Sequence, residues 1–178
     1  MCTEIEAKLK VESHNEIVKK LTRLGAEFLA EQLQTDYYFD DANRTFTKSD
    51  RCLRLRRSLI GRTEKTFLTY KGAKEKDEFK KRQEIEIEVG DSDSVEKLLS
   101  ALAYEKVLAF EKKRRLWQIG ECEVALDNVP LLGSFVEIEG PDGEKIGDVQ
   151  RSLGLANLPH ITESYALLVE KKLQKNSV

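Results

Sequence analysis

The sequence predicts an α+β fold in which a sheet with one apolar and one ionised face curls into a barrel, ionised face inward, with helices packed on its outer face. Three observations carry this. Charged and apolar residues alternate along much of the chain, the period of two that marks a strand. The charged positions on these strands are sorted by sign into pairs of carboxylates and pairs of basic groups. Several helical segments carry apolar stripes that need cover, which the apolar face of the sheet can supply.

Glu4 to Val11 alternates through four cycles and reads as the first strand. Ser13-His14-Asn15-Glu16 reads as a capping box. Ile17, Val18, Leu21 and Leu24 follow at helical spacing, with Gly25 as the stop. Strands are expected at Thr35–Asp40 and Arg51–Arg57. Thr66–Lys71 and Arg82–Val89 flank a charged loop, Ala73–Lys81, and read as a hairpin with a long, solvated, mobile tip. A second capped helix starts near Asp93 and carries Val95, Leu98, Leu99 and Leu102. Strands return at Val107–Ile119, Glu121–Asp127 and Phe135–Glu139. A short helix is expected over Glu144–Leu153, and a longer one over Thr162–Leu173 with Tyr165, Leu168, Val169 and Leu173 on one face. No linker interrupts these elements, so 1–178 reads as one domain.

Composition narrows the function. Of 178 residues 35% are charged, yet 30 basic groups face 32 acidic ones, for a formal charge of -2. A general nucleic-acid partner would call for a basic excess, and none is present. Cys2, Cys52 and Cys122 lie far apart with no C-x-x-C pair, which argues against a disulfide framework or a zinc site and fits a reducing cytoplasm. No apolar run approaches a membrane span, and the charged alternation that begins at Glu4 leads us to expect no signal peptide and no membrane partner. With only His14 and His160 as histidines, any metal must be held by oxygen.

Carboxylates fall as Glu4/Glu6, Glu84/Glu86/Glu88 and Glu137/Glu139, with Asp127 ending its own strand; basic groups fall as Arg54/Arg56 and Lys112/Arg114, with Lys8, Lys71 and Arg82 singly. Spacing of two puts each pair on one strand face. A half-exposed sheet with a wet polar face would explain any one pair. It explains the set less well, because such a face would carry more Thr and Ser, and arginine is suited to bidentate phosphate contacts. A lumen lined by both signs makes chemical sense with a ligand that is both anion and metal complex. Phosphates ask for Lys and Arg, and magnesium or manganese asks for carboxylate oxygens.

The chain resembles the CYTH, or triphosphate tunnel, family. Glu4-Ile5-Glu6-Ala7-Lys8 matches its E-x-E-x-K motif, and six stretches from Gln34–Phe39 through Leu53–Arg56, Leu68–Gly72, Arg82–Glu86, Lys112–Arg114 and Ala125–Asp127 follow in the family's order. Leu132–Glu139 and Glu163-Ser164-Tyr165 complete the match, and the Gln34–Phe39 and Leu68–Gly72 stretches are most similar to class IV adenylyl cyclase-like proteins. The resemblance implies an eight-stranded antiparallel tunnel. It implies metal binding by Glu4, Glu6, Asp127, Glu137 and Glu139, with magnesium or manganese as the ion. It implies triphosphate contacts from Lys8, Arg54, Arg56, Lys71, Arg82, Lys112 and Arg114, support from Glu84 and Glu86, and catalytic roles for Lys8, Lys71 and Tyr38. Related cyclases are often dimers, so a homodimer is a further expectation. Since Lys112 to Arg115 are all basic, a one-residue slip would exchange Lys112 and Arg114 for Lys113 and Arg115. Period-two spacing to Trp117 favours the first pair as inward.

Three functions share this tunnel. One is an adenylyl cyclase that makes cyclic AMP and pyrophosphate from ATP. A second is a triphosphatase acting on thiamine triphosphate or inorganic tripolyphosphate. The third is a non-catalytic binder of polyphosphate or nucleotide. No residue in the sequence decides whether the attacking group is a ribose hydroxyl or a water.

Overall fold

In the computed structural model, which describes residues 2–75 and 79–176, eight antiparallel strands close into a barrel. They are β1 (Cys2–Val11), β2 (Glu27–Asp40), β3 (Cys52–Ile60), β4 (Thr63–Lys71), β5 (Lys80–Val89), β6 (Glu105–Ile119), β7 (Cys122–Val129) and β8 (Gly133–Glu139). Around the barrel they run β1-β5-β4-β3-β2-β6-β7-β8, and β8 returns to β1 through pairs such as Lys8↔Glu137. The helices are α1 (Asn15–Arg23), α2 (Thr45–Lys48), α3 (Ser92–Ala101), α4 (Gly143–Ser152) and α5 (Tyr165–Asn176). No helix among the described residues is long and apolar enough to cross a membrane.

The alternation of β1 sets the two faces. Ala7 and Leu9 point outward and are buried with Val124, Leu126, Val136 and Ile138 under Ile17 and Leu21 of α1 and Ile146 and Val149 of α4. A second cluster forms where Leu99 of α3 meets Phe39 and Leu55, with Val95 and Tyr104 beside them. Burying these apolar faces drives closure, each large side chain contributing roughly 1.5–3 kcal/mol. Cover is incomplete: Ile85 and Ile87 on β5, Leu98 on α3 and Leu102 at its C-cap stay exposed.

Three expectations change. The capping box at Ser13 does not form: the N-cap is His14, without a side-chain cap, and Glu16 pairs with Lys19 instead. The His14 ring is committed elsewhere, with Nε2 2.9 Å from the Phe135 carbonyl oxygen. The capped helix expected to start near Asp93 is met: the cap of α3 is Asp91, whose carboxylate accepts from the amides of Asp93 and Ser94. The loop after β4 is anchored at its described ends, while 76–78 lie outside the described residues. Lys74 pairs with Asp50 at 3.0 Å and donates to the Thr162 carbonyl at 3.4 Å. Phe79 packs on His160 and so close to Gly143 that a β-carbon there would lie 2.5 Å from the ring. Finally, α5 does not lie on the outer face like the other long helices. Tyr165 and Val169 cluster with Phe135 and Val129, and Phe135 shares the inward side of β8 with Glu137 and Glu139.

Candidate active site

The interior holds a cavity of about 430 Å³ lined from all eight strands, α2 and α5. Strand alternation places Glu4, Glu6 and Lys8 of β1 on it together with Arg54 and Arg56 of β3, Lys71 of β4, and Glu84 and Glu86 of β5. Lys112 and Arg114 of β6 and Glu137 and Glu139 of β8 complete the set, with Tyr38 from the end of β2. Lys112 and Arg114, not Lys113 and Arg115, face inward. Trp117 accordingly falls on the outer side and packs into the cluster beneath α1 and α4.

The middle of the barrel is a set of closed ion pairs. Arg56 grips Asp36 with Nε to Oδ1 at 2.6 Å and Nη2 to Oδ2 at 2.7 Å. Arg114 grips Asp127 the same way, at 2.7 and 2.6 Å, and its Nη2 also meets Glu137. Although burial opposes it, the Arg56 guanidinium holds the Asp36 carboxyl well below the usual carboxylate range. Lys112 lies 3.0 Å from Asp127, yet burial and then the Arg114 charge push its ammonium down to about 7. The reason is that Asp127 is shared: Arg114 already engages both of its oxygens.

Lys8 pairs with Glu137 at 3.2 Å and donates to the Glu163 carbonyl, while Lys71 is held between Glu4 at 2.8 Å and Glu84 at 2.6 Å. Arg54 donates to Thr69 and Glu86, but its Nε is buried with no acceptor. Tyr38 stacks on Phe110 at 5.6 Å. Burial, then the nearby Asp36, lift its phenol well above its ordinary range, so it is a neutral donor and not a base.

Two of the expected site residues sit differently from the rest. Asp127 is fully buried and is not among the lining residues, because its oxygens face Lys112 and Arg114. Arg82 lines the cavity, but its donors go to backbone carbonyls of Gly72, Asp50 and Lys71, stapling the barrel end.

Glu6, Glu139 and Glu123 fall on one register line across β1, β8 and β7. Partial burial, then Glu4, Glu6 and Glu123, push the Glu139 carboxyl up to about 7. Burial also raises Glu123, a lining residue that the sequence reading missed. Its spacing to Asp127 and the Glu121/Glu123 pair carried the signal. Carboxylates outnumber cations among the lining residues, so the interior is short of positive charge. The donor set suits a hard divalent cation: clustered carboxylate oxygens, with no histidine on the cavity. Among the described residues no three such groups yet enclose an ion, because Lys8 and Lys71 stand between them.

The rest of the cavity is different in kind. Phe39, Leu53, Val107 and Leu108 from strand ends, Phe46 of α2, and Ala166 and Leu167 of α5 make an apolar mouth next to the cationic middle.

A CYTH domain model matches residues 3–165, and the chain belongs to that family. A Methanocaldococcus jannaschii protein named "Putative adenylate cyclase" is 32% identical over 136 residues, 76% of this chain and 75% of that protein. The adenylate cyclase CyaB of Aeromonas hydrophila is 30% identical over 100 residues, 51% of this chain and 52% of its own length. A solved Pyrococcus horikoshii protein superposes with a TM-score of 0.80 at 31% identity, over 94% of this chain and 99% of that one. A Hippeastrum protein described as a "putative adenylyl cyclase" with a dominant triphosphatase activity shares the fold, with a TM-score of 0.74 at 17% identity over 94% and 95% of the two chains.

Proposed function

We propose that this CYTH chain is a divalent-metal-dependent enzyme acting on a triphosphate, and that its reaction is the cyclisation of ATP to cyclic AMP and pyrophosphate. The observation that carries the reading is the convergence of Lys8, Arg54, Arg56, Lys112 and Arg114 on one closed cavity, with Arg54 Nε buried and lacking an acceptor. A buried guanidinium donor is normally satisfied, and a phosphate oxygen supplies what is missing. Glu4, Glu6, Glu137 and Glu139 would hold magnesium or manganese, and Asp127 orients Lys112 and Arg114 behind them. When bound, the ion neutralises developing charge on phosphate oxygens.

In this reading Arg54, Arg56 and Arg114 grip the phosphate chain, Lys8 and Lys71 add charge beside it, and Tyr38 donates as a neutral phenol. The apolar mouth favours a triphosphate that carries a ring, and hence ATP over a bare polyphosphate. The ribose 3′-oxygen bonds to the α-phosphorus, pyrophosphate leaves, and a lumen carboxylate takes the hydroxyl proton. A second reading, hydrolysis of thiamine triphosphate or tripolyphosphate, is supported by the cationic middle itself, whose Lys and Arg groups suit any phosphate chain and which contains no group that demands a ribose.

The test is a product assay with ATP, thiamine triphosphate and tripolyphosphate, each with magnesium or manganese. Cyclic AMP and pyrophosphate in equal amounts from ATP support the cyclase. Faster orthophosphate release from tripolyphosphate overturns it in favour of the hydrolase. Tight binding without turnover would mark a non-catalytic binder.

A further inference from the structure

The first residue of α5 reaches into the charged middle of the barrel. Tyr165 is buried, and two ammonium groups lie over its ring: Lys8 Nζ at 4.2 Å from the centroid and Lys112 Nζ at 4.8 Å. These lysines belong to β1 and β6, which are separated around the barrel by β8 and β7. One ring thus gathers cations from two strands that do not touch. Phe135 of β8 meets the same ring edge-on, at 5.2 Å and 77°, and fixes its tilt. The chain just before α5 is tied to the same lysine, since Ile161 N–H donates to the Lys8 carbonyl at 2.8 Å and Lys8 Nζ donates to the Glu163 carbonyl at 3.1 Å.

Two ammonium groups drawn together repel, and a lysine side chain is long and flexible. Their carboxylate partners differ as well: Glu137 draws Lys8, and Asp127 draws Lys112. The negative face of an aromatic ring is a surface that both can share, and it acts more strongly away from water. The Tyr165 hydroxyl is buried beside the Asp127 carboxylate but outside hydrogen-bond geometry.

We infer that Tyr165 is a positioning residue whose ring face holds Lys8 and Lys112 together at the cavity, so that both present their charge to one phosphate chain. The inference rests on the triphosphate reading, and it assigns the work to the ring and not to the hydroxyl.

The experiment replaces Tyr165 with Phe, with Leu, and with a series of increasingly fluorinated phenylalanines. Fluorination drains the ring's negative face while nearly preserving its shape. For the triphosphate that the wild type turns over or binds, Tyr165→Phe is expected to keep KM or Kd within about twofold, since the ring is kept and only the hydroxyl is lost. Tyr165→Leu is expected to raise it about tenfold with a smaller change in kcat, and each added fluorine should raise it further. A flat fluorine series would overturn the inference, because a ring that only packs is indifferent to its electrons. Tyr165→Phe as damaging as Tyr165→Leu would overturn it too, by giving the role to the hydroxyl. NMR of the ligand-free protein, labelled with carbon-13 at the lysine ε-position, separates this failure from failure of the triphosphate reading. Ring-current shifts at Lys8 and Lys112 that vanish in Tyr165→Leu support the lysine cradle even if no triphosphate binds. Their absence in the wild type refutes it whatever the substrate.

Discussion

The two halves of the barrel interior carry the same residue types and opposite electrostatic states. In the middle every buried carboxylate has its cation: Asp36 has Arg56, and Asp127 has Arg114 and Lys112. At the Glu139 end the carboxylates face one another, and repulsion adds to burial in lifting Glu139 toward neutral pH. The difference teaches that charge density alone does not mark where a ligand cation goes. A carboxylate whose cation is built into the chain, such as Asp36 or Asp127, is structural scaffolding, while one whose neighbours share its sign can take a cation from solution. Glu139 is only partly buried, so an ion can reach it.

The largest expected effect tests the closed half. Arg114→Met leaves Asp127 buried without its bidentate partner, and breaking such a pair from one side costs about 3–5 kcal/mol. Urea unfolding should show that loss. A loss below about 1 kcal/mol would mean that Lys112 alone satisfies Asp127 and that the middle is less tightly closed than its geometry indicates.

Next in size is ligand affinity. Arg54 combines an unpaired Nε with a weak 3.3 Å contact to Glu86, so its charge is largely available to a ligand. Arg54→Ala should weaken triphosphate binding by roughly tenfold to a hundredfold, the 1.5–3 kcal/mol of a charged hydrogen bond. Calorimetry that finds no change would remove Arg54 from the site.

The open half responds to pH. A carboxyl raised in the folded state favours folding while protonated, and that advantage is lost as pH climbs from its unfolded value near 4.5 to the folded value of about 7. In chelator Glu139→Gln should therefore be more stable than the wild type at pH 8, by about 1 kcal/mol after allowing for solvent screening, and no more stable below pH 4.5. Saturating manganese should erase the pH 8 gain by stabilising only the wild type. Denaturant titrations at both pH values check the sign, and an equal gain at low pH would show that repulsion is not its source.

The smallest effect is a control for the register. Lys113→Ala and Arg115→Ala lie on the outward side of β6 and should change triphosphate affinity by less than about twofold. A loss at Arg115 larger than at Arg114 would mean that β6 is shifted by one residue.

The strands that carry the site were legible because their alternation is clean, and alternation also predicted Lys112 and Arg114 as the inward pair. Where the period breaks, legibility fails. The first half of β2, Glu27–Gln34, was missed because a register shift between Phe28 and Ala30 interrupts the period of two. The four-residue α2 is too short to show helical spacing and exists because Asp40 accepts from the amides of Phe46 and Thr47. Asp36 was legible as a strand residue but not as the partner of Arg56, since a cross-strand pair depends on a register that one strand does not contain. Tyr165 lay on an expected apolar helix face, and nothing in that spacing says that the helix enters a barrel end.

Closure also constrains how the chain is made. The E-x-E-x-K strand is made before both of its partners, β5 and β8, and the seam is complete only when Glu139 can pair with Glu6. Loop-closure entropy makes such distant pairings slow to form, and a nascent chain leaves the ribosome at only about 5–20 residues per second. Glu4, Glu6 and Lys8 therefore wait through synthesis of most of the protein on an unpaired strand edge. Their alternating charges are the kind of side chain that keeps a lone edge from pairing with the wrong neighbour. The carboxylates proposed to hold a cation in the finished barrel would in this way guard the first strand until the barrel closes.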